Sequence, residues 1–361
     1  MTLKVLYCAA CVLPSQSASS VHAYNMTASL SKYSQVVFSG RFLSTKPEIE
    51  KIYGGKNPSY FLTSRWGAFG QLLSCFFKLN SVDVVYTRWY ASIFLLFFFR
   101  GYFVFEFHAL PERSLNRLLV RVMRFLAKSR SVSIVCISEE LKNDLVASYE
   151  FSDSRISVHH DAANCIRVTD QNEVYDVGYV GSFKRGKGVE RVVELANRMP
   201  NVSYVVFGGE PFEIDHYRKL IKHNNVEFLG FIDPANIDSC YGAFKIALLP
   251  NYPDVFIGKG NIGKWTSPMK LFEYMATKKA IVCTDLPVFK EVLSDGVDAL
   301  LCDSGSLDQW VSAINSLLSN ESLRHYCSEN AHLKFKSEYT WDSRAKAVVN
   351  SLGYRLSDFS K

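Results

Sequence analysis

The chain has 361 residues, of which 48% are hydrophobic and 21% charged, and its net charge is +6. This composition is too apolar for a disordered chain, and the length exceeds what one ordinary core holds, so two domains are expected. A modest positive charge does not by itself indicate a nucleic-acid-binding protein. The nine cysteines lie singly or inside apolar runs, which is typical of reduced, buried thiols in a cytoplasmic protein.

Neither apolar segment of the first hundred residues has the features of a membrane or export signal. Residues 1–14 carry one early lysine and end at Pro14, which suits a buried strand better than a signal peptide. The longest apolar run, Ala91 to Phe99, stops at Arg100, well short of the roughly 20 residues that span a bilayer. The expected location is the cytoplasm, either free or peripheral at the inner face of a membrane.

Short β-branched and aromatic runs alternate with longer helical stretches, which predicts an α/β protein built from parallel βαβ units. The candidate strands of the first half are Lys4–Ala10, Val82–Thr87, Tyr102–His108, Val132–Ser138 and Ile156–Asp161. Those of the second half are Asp176–Ser182, Val202–Gly209, Val226–Ile232, Phe244–Pro250 and Ala280–Asp285. Strands this apolar belong to sheets covered on both faces, with ligands at their carboxyl ends. The predicted domains are 1–165 and 176–340, joined by a polar linker, 166–175.

The segment Ser267–Pro287 contains the strongest candidate site. Ser267 followed by Pro268 predicts the start of a helix, with Ser267 as the N-cap. Lys270 and Glu273 then fall on one side of the first turns. Such a helix end offers N–H groups and a cation to phosphate, while the carboxylate can bind a ribose diol. A capped amphipathic helix with an exposed Lys–Glu pair remains the alternative.

A second candidate site is the basic loop Val180–Glu190. A strand ends there in Gly181 and Ser182, and Lys184, Arg185 and Lys187 lead into a helix. Cations and glycines at a strand-to-helix turn favour a diphosphate cradle. A solvated basic loop is the alternative.

The order of these segments, with the glycine pair Gly208–Gly209 and the run Phe228–Ile232 between them, resembles the donor-binding domain of retaining GT-B glycosyltransferases of glycosyltransferase family 4. The resemblance covers most of 177–300. It implies that Lys187 and Arg185 hold the donor diphosphate and that Glu273 holds the ribose, with Lys270 near the phosphates. Many family members have arginine at the position of Ser182 and glutamate at that of Trp265, which leaves recognition of the transferred sugar open.

The first half also resembles this family, in its bacterial surface-polysaccharide branch, through the runs at Val84–Trp89, Phe103–Pro111 and Cys136–Leu145. The implied fold is GT-B, with two doubly wound Rossmann-like domains facing across a cleft. His108 corresponds to the family's histidine near the reacting centre. Arg88 and Glu106, at strand ends, and His22, in a serine-rich first loop and helix, are candidates for the acceptor side. His22 is alternatively a surface residue, and His108 alternatively a structural one.

Two helices complete the prediction. Residues Arg113–Arg130 repeat cations at helical spacing opposite Leu118, Val122, Phe125 and Leu126, and this pattern fits either a helix on an anionic membrane surface or a core-packed helix with a solvated face. The resemblance favours the membrane, because many family members use lipid-linked acceptors. The helix from Trp341 onwards is expected to cross back to the first domain.

No two aspartates are two residues apart, and the sequence indicates no His/Cys cluster, so a metal-independent reaction without cofactors is expected. The resemblance implies transfer of a sugar from a nucleotide-diphosphate sugar to a glycan or lipid-linked acceptor, with retention of configuration, in cell-surface polysaccharide or lipopolysaccharide biosynthesis. A nucleotide-sugar epimerase of the same fold and a catalytically silent nucleotide-binding subunit remain alternatives. Nucleic acid is not an expected partner.

Overall fold

The computed structural model describes residues 2–15, 17–62, 67–166, 168, 173–232, 237–257 and 260–358. The chain forms two compact units. The first unit contains Met1–Asp161 and Trp341–Lys361, and the second contains Ala162–Thr340, against a predicted boundary at 165. Half of the predicted linker, residues 167 and 169–172, lies outside the described residues.

The first unit is built on a sheet of seven parallel strands. In chain order the strands are β1 Lys4–Leu13, β2 Gln35–Phe42, β3 Tyr60–Leu62, β4 Val84–Thr87, β5 Tyr102–Phe107, β6 Val132–Cys136 and β7 Ile156–Val158. Their spatial order is β3-β2-β1-β4-β5-β6-β7. The order reverses between β1 and β4, where a doubly wound sheet leaves a crevice at its carboxyl edge.

Helices cover this sheet. They are α1 Ala18–Leu30, α2 Lys46–Ile52, α3 Gly67–Lys78, α4 Ser114–Leu126, α5 Glu139–Tyr149 and, from the end of the chain, α13 Trp341–Asp358. A 3₁₀ segment, Tyr90–Phe97, follows β4. Ser17 is the N-cap of α1, and its hydroxyl accepts a hydrogen bond from the Ser20 N–H, which satisfies one of the orphan donors of the first turn.

The second unit has a sheet of six parallel strands. They are β8 Tyr175–Val180, β9 Tyr204–Phe207, β10 Val226–Gly230, β11 Phe244–Leu249, β14 Ala280–Thr284 and β15 Leu300–Cys302. The spatial order β10-β9-β8-β11-β14-β15 again reverses next to its first strand, between β8 and β11. A short antiparallel pair, β12 Phe256–Ile257 and β13 Gly260–Asn261, lies outside this sheet.

Apolar residues fill both faces of the second sheet, as the near-continuous apolar strands predict. The helices are α6 Val189–Arg198, α7 Pro211–Arg218, α8 Ile237–Gly242, α9 Met269–Ala276, α10 Pro287–Lys290, α11 Leu307–Ser319 and α12 Glu321–Lys334. A π-helical turn, Phe335–Tyr339, follows α12.

All ten predicted strands are present, and the described residues form five further strands that were not predicted. Of these, β3, β12, β13 and β15 have three residues or fewer, too few to show a pattern. β2 has polar Gln35, Ser39 and Arg41 among its apolar residues and so lacks a continuous apolar run. Eight of the nine cysteines are buried. Cys8 and Cys11 have the C-x-x-C spacing of some zinc and redox sites. The sulfur of Cys8 nevertheless contacts that of Cys75, at 3.5 Å.

Candidate functional site

In the second unit, the carboxyl ends of the neighbouring strands β8 and β9 lie in direct contact. The Gly181 N–H donates to the Phe207 carbonyl oxygen over 2.9 Å. A Cβ added to Gly208, whose φ is +118°, would lie 1.9 Å from the Gly181 carbonyl oxygen. Only glycine fits there. The predicted donor-binding residues Gly181, Ser182, Gly208 and Gly209 therefore lie together after β8 and β9.

The basic loop after Ser182 rests on the segment that follows β11. The Lys187 N–H closes a turn onto the Lys184 carbonyl oxygen at 2.9 Å. The Tyr252 N–H donates to the Gly186 carbonyl oxygen at 2.9 Å, and the Phe256 N–H donates to that of Arg185 at 3.1 Å. These main-chain hydrogen bonds fix the loop without using its charged side chains.

Within the residues that the structure describes, the three loop cations have no carboxylate partner. The Arg185 guanidinium instead lies 4.6 Å from the centre of the Phe256 ring. Burial, and then the ammonium of Lys184, lowers the pKa of Lys187 from its ordinary 10.5 to about 8. The charged form of this half-buried lysine is thus disfavoured. A bound anion would stabilise it, because the negative charge would offset both the burial and the repulsion from Lys184.

Gly188 is the residue on which the shape of this loop depends. Its φ is +88°, and a Cβ would lie 2.0 Å from the Pro250 carbonyl oxygen. Gly188→Ala is expected to lower the free energy of unfolding by about 2 kcal/mol or more, because a left-handed backbone costs an L-residue about 1–2 kcal/mol before the clash is added. Urea denaturation measures the effect. Gly55→Ala is the matched control, since no atom lies within 4 Å of its added Cβ, and an equal loss in both variants would contradict this reading.

Helix α9 begins one residue later than predicted. Its N-cap is Pro268 and its first residue Met269, so the prediction that Ser267 is the N-cap is wrong. Pro268 has no side-chain oxygen to accept from the first turn, although its carbonyl accepts from the Leu271 N–H at 3.0 Å. Ser267 is buried immediately before the helix.

Glu273 is held by two neighbours. The Lys270 ammonium lies 2.6 Å from its Oε2, and the Tyr241 hydroxyl donates to the same oxygen. Burial and the charge of Glu273 raise the pKa of Tyr241, so this tyrosine remains a donor. Because both contacts fall on Oε2, Oε1 is the oxygen that a ligand hydroxyl would approach.

Tyr274 joins this helix to the strand ends. Its hydroxyl accepts a hydrogen bond from the Val180 N–H at 3.0 Å and donates to the Leu248 carbonyl oxygen at 3.2 Å. The Lys270–Glu273 pair and the loop after β8 therefore belong to one corner of the second unit. Tyr241 and Tyr274 were not predicted, because nothing in their spacing distinguishes them from core residues.

In the first unit, a buried carboxylate organises the strand ends. Glu106 Oε1 lies 2.7 Å from His108 Nε2, 3.0 Å from His22 Nε2 and 2.9 Å from an Arg344 nitrogen. The Tyr86 hydroxyl donates to Oε2 at 2.5 Å. His22 is 1% exposed, so the alternative that it is a surface residue is wrong. The predicted residues Glu106, His108 and His22 are thus brought together, whereas Tyr86 and Arg344 were missed.

The electrostatics of this cluster follow from burial and one ion pair. Burial alone would raise the pKa of Glu106, but Arg344 and the two histidines hold it well below its usual range. Burial lowers the pKa of His22 and of His108, and the guanidinium of Arg88 lowers both further. Glu106 is then ionised and both histidines are neutral at neutral pH. His108 Nε2 must carry the proton that it shares with the carboxylate, which leaves Nδ1 as an acceptor.

Arg88 borders the same cluster. One of its terminal nitrogens, Nη1, is buried without a hydrogen-bond partner in the described part of the chain. An unpaired buried guanidinium nitrogen is costly. Burial raises the pKa of the nearby Asp161 carboxyl, and His22 Nε2 lies 3.4 Å from its Oδ1. This side of the first unit therefore offers a cation to an anionic or hydroxyl-bearing ligand.

Among the described residues, His22, Glu106 and His108 also have ligand atoms close enough together to hold a metal ion. This corrects the expectation that no such cluster exists, since residues 22 and 106 meet only in the fold. A metal there would compete with the Arg344 guanidinium for Glu106 Oε1. The positive charge of this guanidinium, 2.9 Å from Oε1, opposes a cation there. Both ring nitrogens of His22 lack a hydrogen-bond partner in the described part of the chain.

With two Rossmann-like sheets of parallel strands, the chain has the GT-B fold of glycosyltransferase structures. One structural neighbour is the Anabaena protein HepE in complex with UDP, at a TM-score of 0.74 and 15% identity, covering 98% of this chain and 100% of that one. Residues 167–334 match the family model described as glycosyl transferases group 1.

Two curated relatives are similar in sequence. A processive diacylglycerol alpha-glucosyltransferase of Acholeplasma laidlawii is 27% identical over 48% of this chain and 48% of its own length. The capsular polysaccharide biosynthesis glycosyltransferase CapM of Staphylococcus aureus is 22% identical over 61% of this chain and 62% of its own. The chain thus spans about half to three fifths of these relatives. None of the described helices is both long enough and apolar enough to cross a membrane.

Proposed function

We propose that the protein is a retaining, metal-independent glycosyltransferase that uses a nucleotide-diphosphate sugar. The observation that carries the proposal is the corner of the second unit, where Arg185 and Lys187, cations without carboxylate partners in the described part of the chain, adjoin the Lys270–Glu273 pair of α9. Diphosphate and ribose diol are the two groups that such an arrangement recognises. The match of 167–334 to glycosyl transferases group 1 supports the same assignment.

In the proposed reaction, the bond between the anomeric carbon and the donor phosphate breaks, and a bond to the acceptor oxygen forms on the same face. Lys187 and Arg185 stabilise the negative charge of the departing diphosphate, assisted by the start of α9 after Ser267. Preorganised donors of this kind act without reorganisation at the moment of reaction. The departing phosphate takes the acceptor hydroxyl's proton, so no protein base is assigned.

The first unit supplies the polar groups for the sugars. A neutral His108 offers Nδ1 to a sugar hydroxyl, and Glu106 fixes the orientation of its ring. Arg88 binds a polar or anionic group of the acceptor. The proposed acceptor is a glycan or lipid-linked glycan of cell-surface polysaccharide biosynthesis, a role that the similarity to CapM supports.

Glu273→Gln tests the nucleotide assignment. UDP, GDP and ADP are first screened for the one that raises the melting temperature, as a ligand of the folded state must. The affinity of Glu273→Gln for that nucleotide is expected to fall roughly 10- to 150-fold, because a hydrogen bond to a charged group contributes about 1.5–3 kcal/mol. Isothermal titration calorimetry measures it.

Glu321→Gln is the matched control, because Glu321 also lies in the first turns of a helix and its side chain is 88% exposed. It should bind the nucleotide like the wild type. Unchanged binding by Glu273→Gln would contradict the assignment. Conversion of a nucleotide-sugar without any acceptor would indicate an epimerase instead.

A further inference from the structure

Helix α3 and the 3₁₀ segment after β4 expose large aromatic side chains. Phe69 and Phe77 of α3 are 70% and 73% exposed, and Phe98, at the end of the 3₁₀ segment, is 65% exposed. Phe94 and Phe97 are also exposed. Single exposed apolar residues are ordinary, but an adjoining set of this size marks an interaction surface. None of these residues belongs to the sites described above.

Three of these side chains, Phe69, Phe94 and Phe98, line a groove. It encloses about 160 Å³, and every side chain that lines it is apolar, including Phe69, Leu73 and Phe76 of α3 and Phe94 and Phe98 of the 3₁₀ segment. The rings of Phe76 and Phe98 meet edge to face, with centroids 5.1 Å apart. We call α3 and Tyr90–Phe98 the aromatic surface.

Helix α4 packs against the same 3₁₀ segment. Its buried residues are Leu119, Val120 and Met123. Leu118 and Phe125, which the core-packed alternative would bury, are more than half exposed, as is Leu115. These three residues therefore form a second apolar stripe in solvent, because Leu119, Val120 and Met123 fill the core instead.

Cations border both apolar regions. Arg117 and Arg121 of α4 are exposed, as is Arg100 beside the aromatic surface. Arg130 joins the two, since its guanidinium donates to the carbonyl oxygens of Phe97 and Phe99 at 3.2 and 3.4 Å. Helix α4 contains no acidic residue.

We propose that the aromatic surface and α4 together dock on an anionic lipid bilayer. The phenylalanines enter the boundary between headgroups and acyl chains, and the arginines contact the anionic headgroups. A second copy of the chain is a poorer occupant, because a symmetric contact would bring the same arginines together without carboxylates to pair them. This inference does not depend on the proposed donor chemistry, since it concerns other residues and a binding measurement without turnover.

Cosedimentation with vesicles tests the charge component. The wild type should bind vesicles of phosphatidylcholine with phosphatidylglycerol more tightly than vesicles of phosphatidylcholine alone, and added salt should reduce the difference. Arg117→Gln with Arg121→Gln should weaken binding to the anionic vesicles roughly 25-fold, since each near-surface cation contributes about fivefold. Lys219→Gln with Lys222→Gln, which removes two exposed cations of the second unit, should bind like the wild type.

Phe77→Ser with Phe98→Ser tests the apolar component, with Phe212→Ser in the second unit as the control for an equally exposed phenylalanine. The double variant should lose binding to both kinds of vesicle at an unchanged melting temperature, and Phe212→Ser should not. Equal vesicle binding by the wild type, the Arg117→Gln with Arg121→Gln variant and the Phe77→Ser with Phe98→Ser variant would overturn the proposal. A second result would also overturn it: the wild type self-associates but does not bind vesicles, and Phe77→Ser with Phe98→Ser abolishes the self-association. The surface would then join two copies of the chain.

Discussion

Replacing Arg344 by methionine is expected to lower the free energy of unfolding by about 3–5 kcal/mol, because it leaves the buried Glu106 carboxylate without its cation. Both side chains of this pair are almost fully inaccessible to solvent. Arg344 also donates to the carbonyl oxygens of His160 and His159 at 2.8 and 3.2 Å. The substitution thus breaks contacts among α13, β5 and the segment after β7. Urea denaturation monitored by circular dichroism measures the loss.

The double variant Arg344→Met with Glu106→Gln separates the ion pair from packing. Removing both charges should cost less than the sum of the two single substitutions, because neither partner is then left charged and buried. If the loss in the double variant equals the sum of the two single losses, the interaction between Arg344 and Glu106 contributes no stability beyond the contacts that each makes with other residues. Lys32→Ala is the control for an exposed pair, since Lys32 lies 2.5 Å from Asp342 with both side chains about half exposed, and its effect should stay within about 1 kcal/mol.

Replacing Lys187 by alanine is expected to reduce turnover about 10²- to 10³-fold without lowering the melting temperature, because the buried charge is unfavourable in the free protein. Loss of one preorganised donor to a developing negative charge has this magnitude in other enzymes. Lys184→Ala is the matched control, because Lys184 lies on the same loop but is exposed, and it should retain most activity. Steady-state kinetics with the donor found by the nucleotide screen measures both. Full activity of Lys187→Ala would remove the lysine from the proposed mechanism.

The lowered pKa of Lys187 adds a pH dependence to the same prediction. Lys187 has a pKa of about 8 in the folded protein without nucleotide, against an ordinary 10.5. Between these two pH values the lysine is protonated in the unfolded chain but not in the folded one, so its contribution to stability rises with pH across that window. A bound diphosphate favours the charged lysine and raises its pKa. Nucleotide affinity should therefore fall as the pH rises above about 8, and Lys187→Met should lose that dependence in calorimetric titrations.

Several parts of the fold could be predicted because their cause is local. The strands of both sheets are buried on two faces, which requires apolar runs that are readable without the structure. The strands that escaped prediction either have three residues or fewer or, like β2, carry polar residues among apolar ones. Helix α4 shows the limit of periodicity, since its apolar spacing fitted both a membrane-surface helix and a core-packed one, and only the structure shows Leu118 and Phe125 exposed. Which face a helix buries depends on what lies beside it.

The candidate sites divide in the same way. Gly181, Lys187, Lys270 and Glu273 could be proposed because a strand, a turn and a helix start bring them close within short stretches of sequence. Arg344 lies 238 residues from Glu106, and no local pattern relates the two. Tyr241 is 32 residues from Glu273 and reads as an ordinary core aromatic.

By itself, the sequence determined the two-unit α/β architecture, the basic loop and the Lys–Glu spacing of α9, because hydrophobic burial and turn chemistry act over a few residues. Only the tertiary structure decided that His22, Glu106 and His108 share one buried charge with Arg344, and that the phenylalanines of α3 remain in solvent. Both results depend on contacts between distant segments. The energy of a buried charge is set by its partners, and the exposure of an apolar face is set by its neighbours.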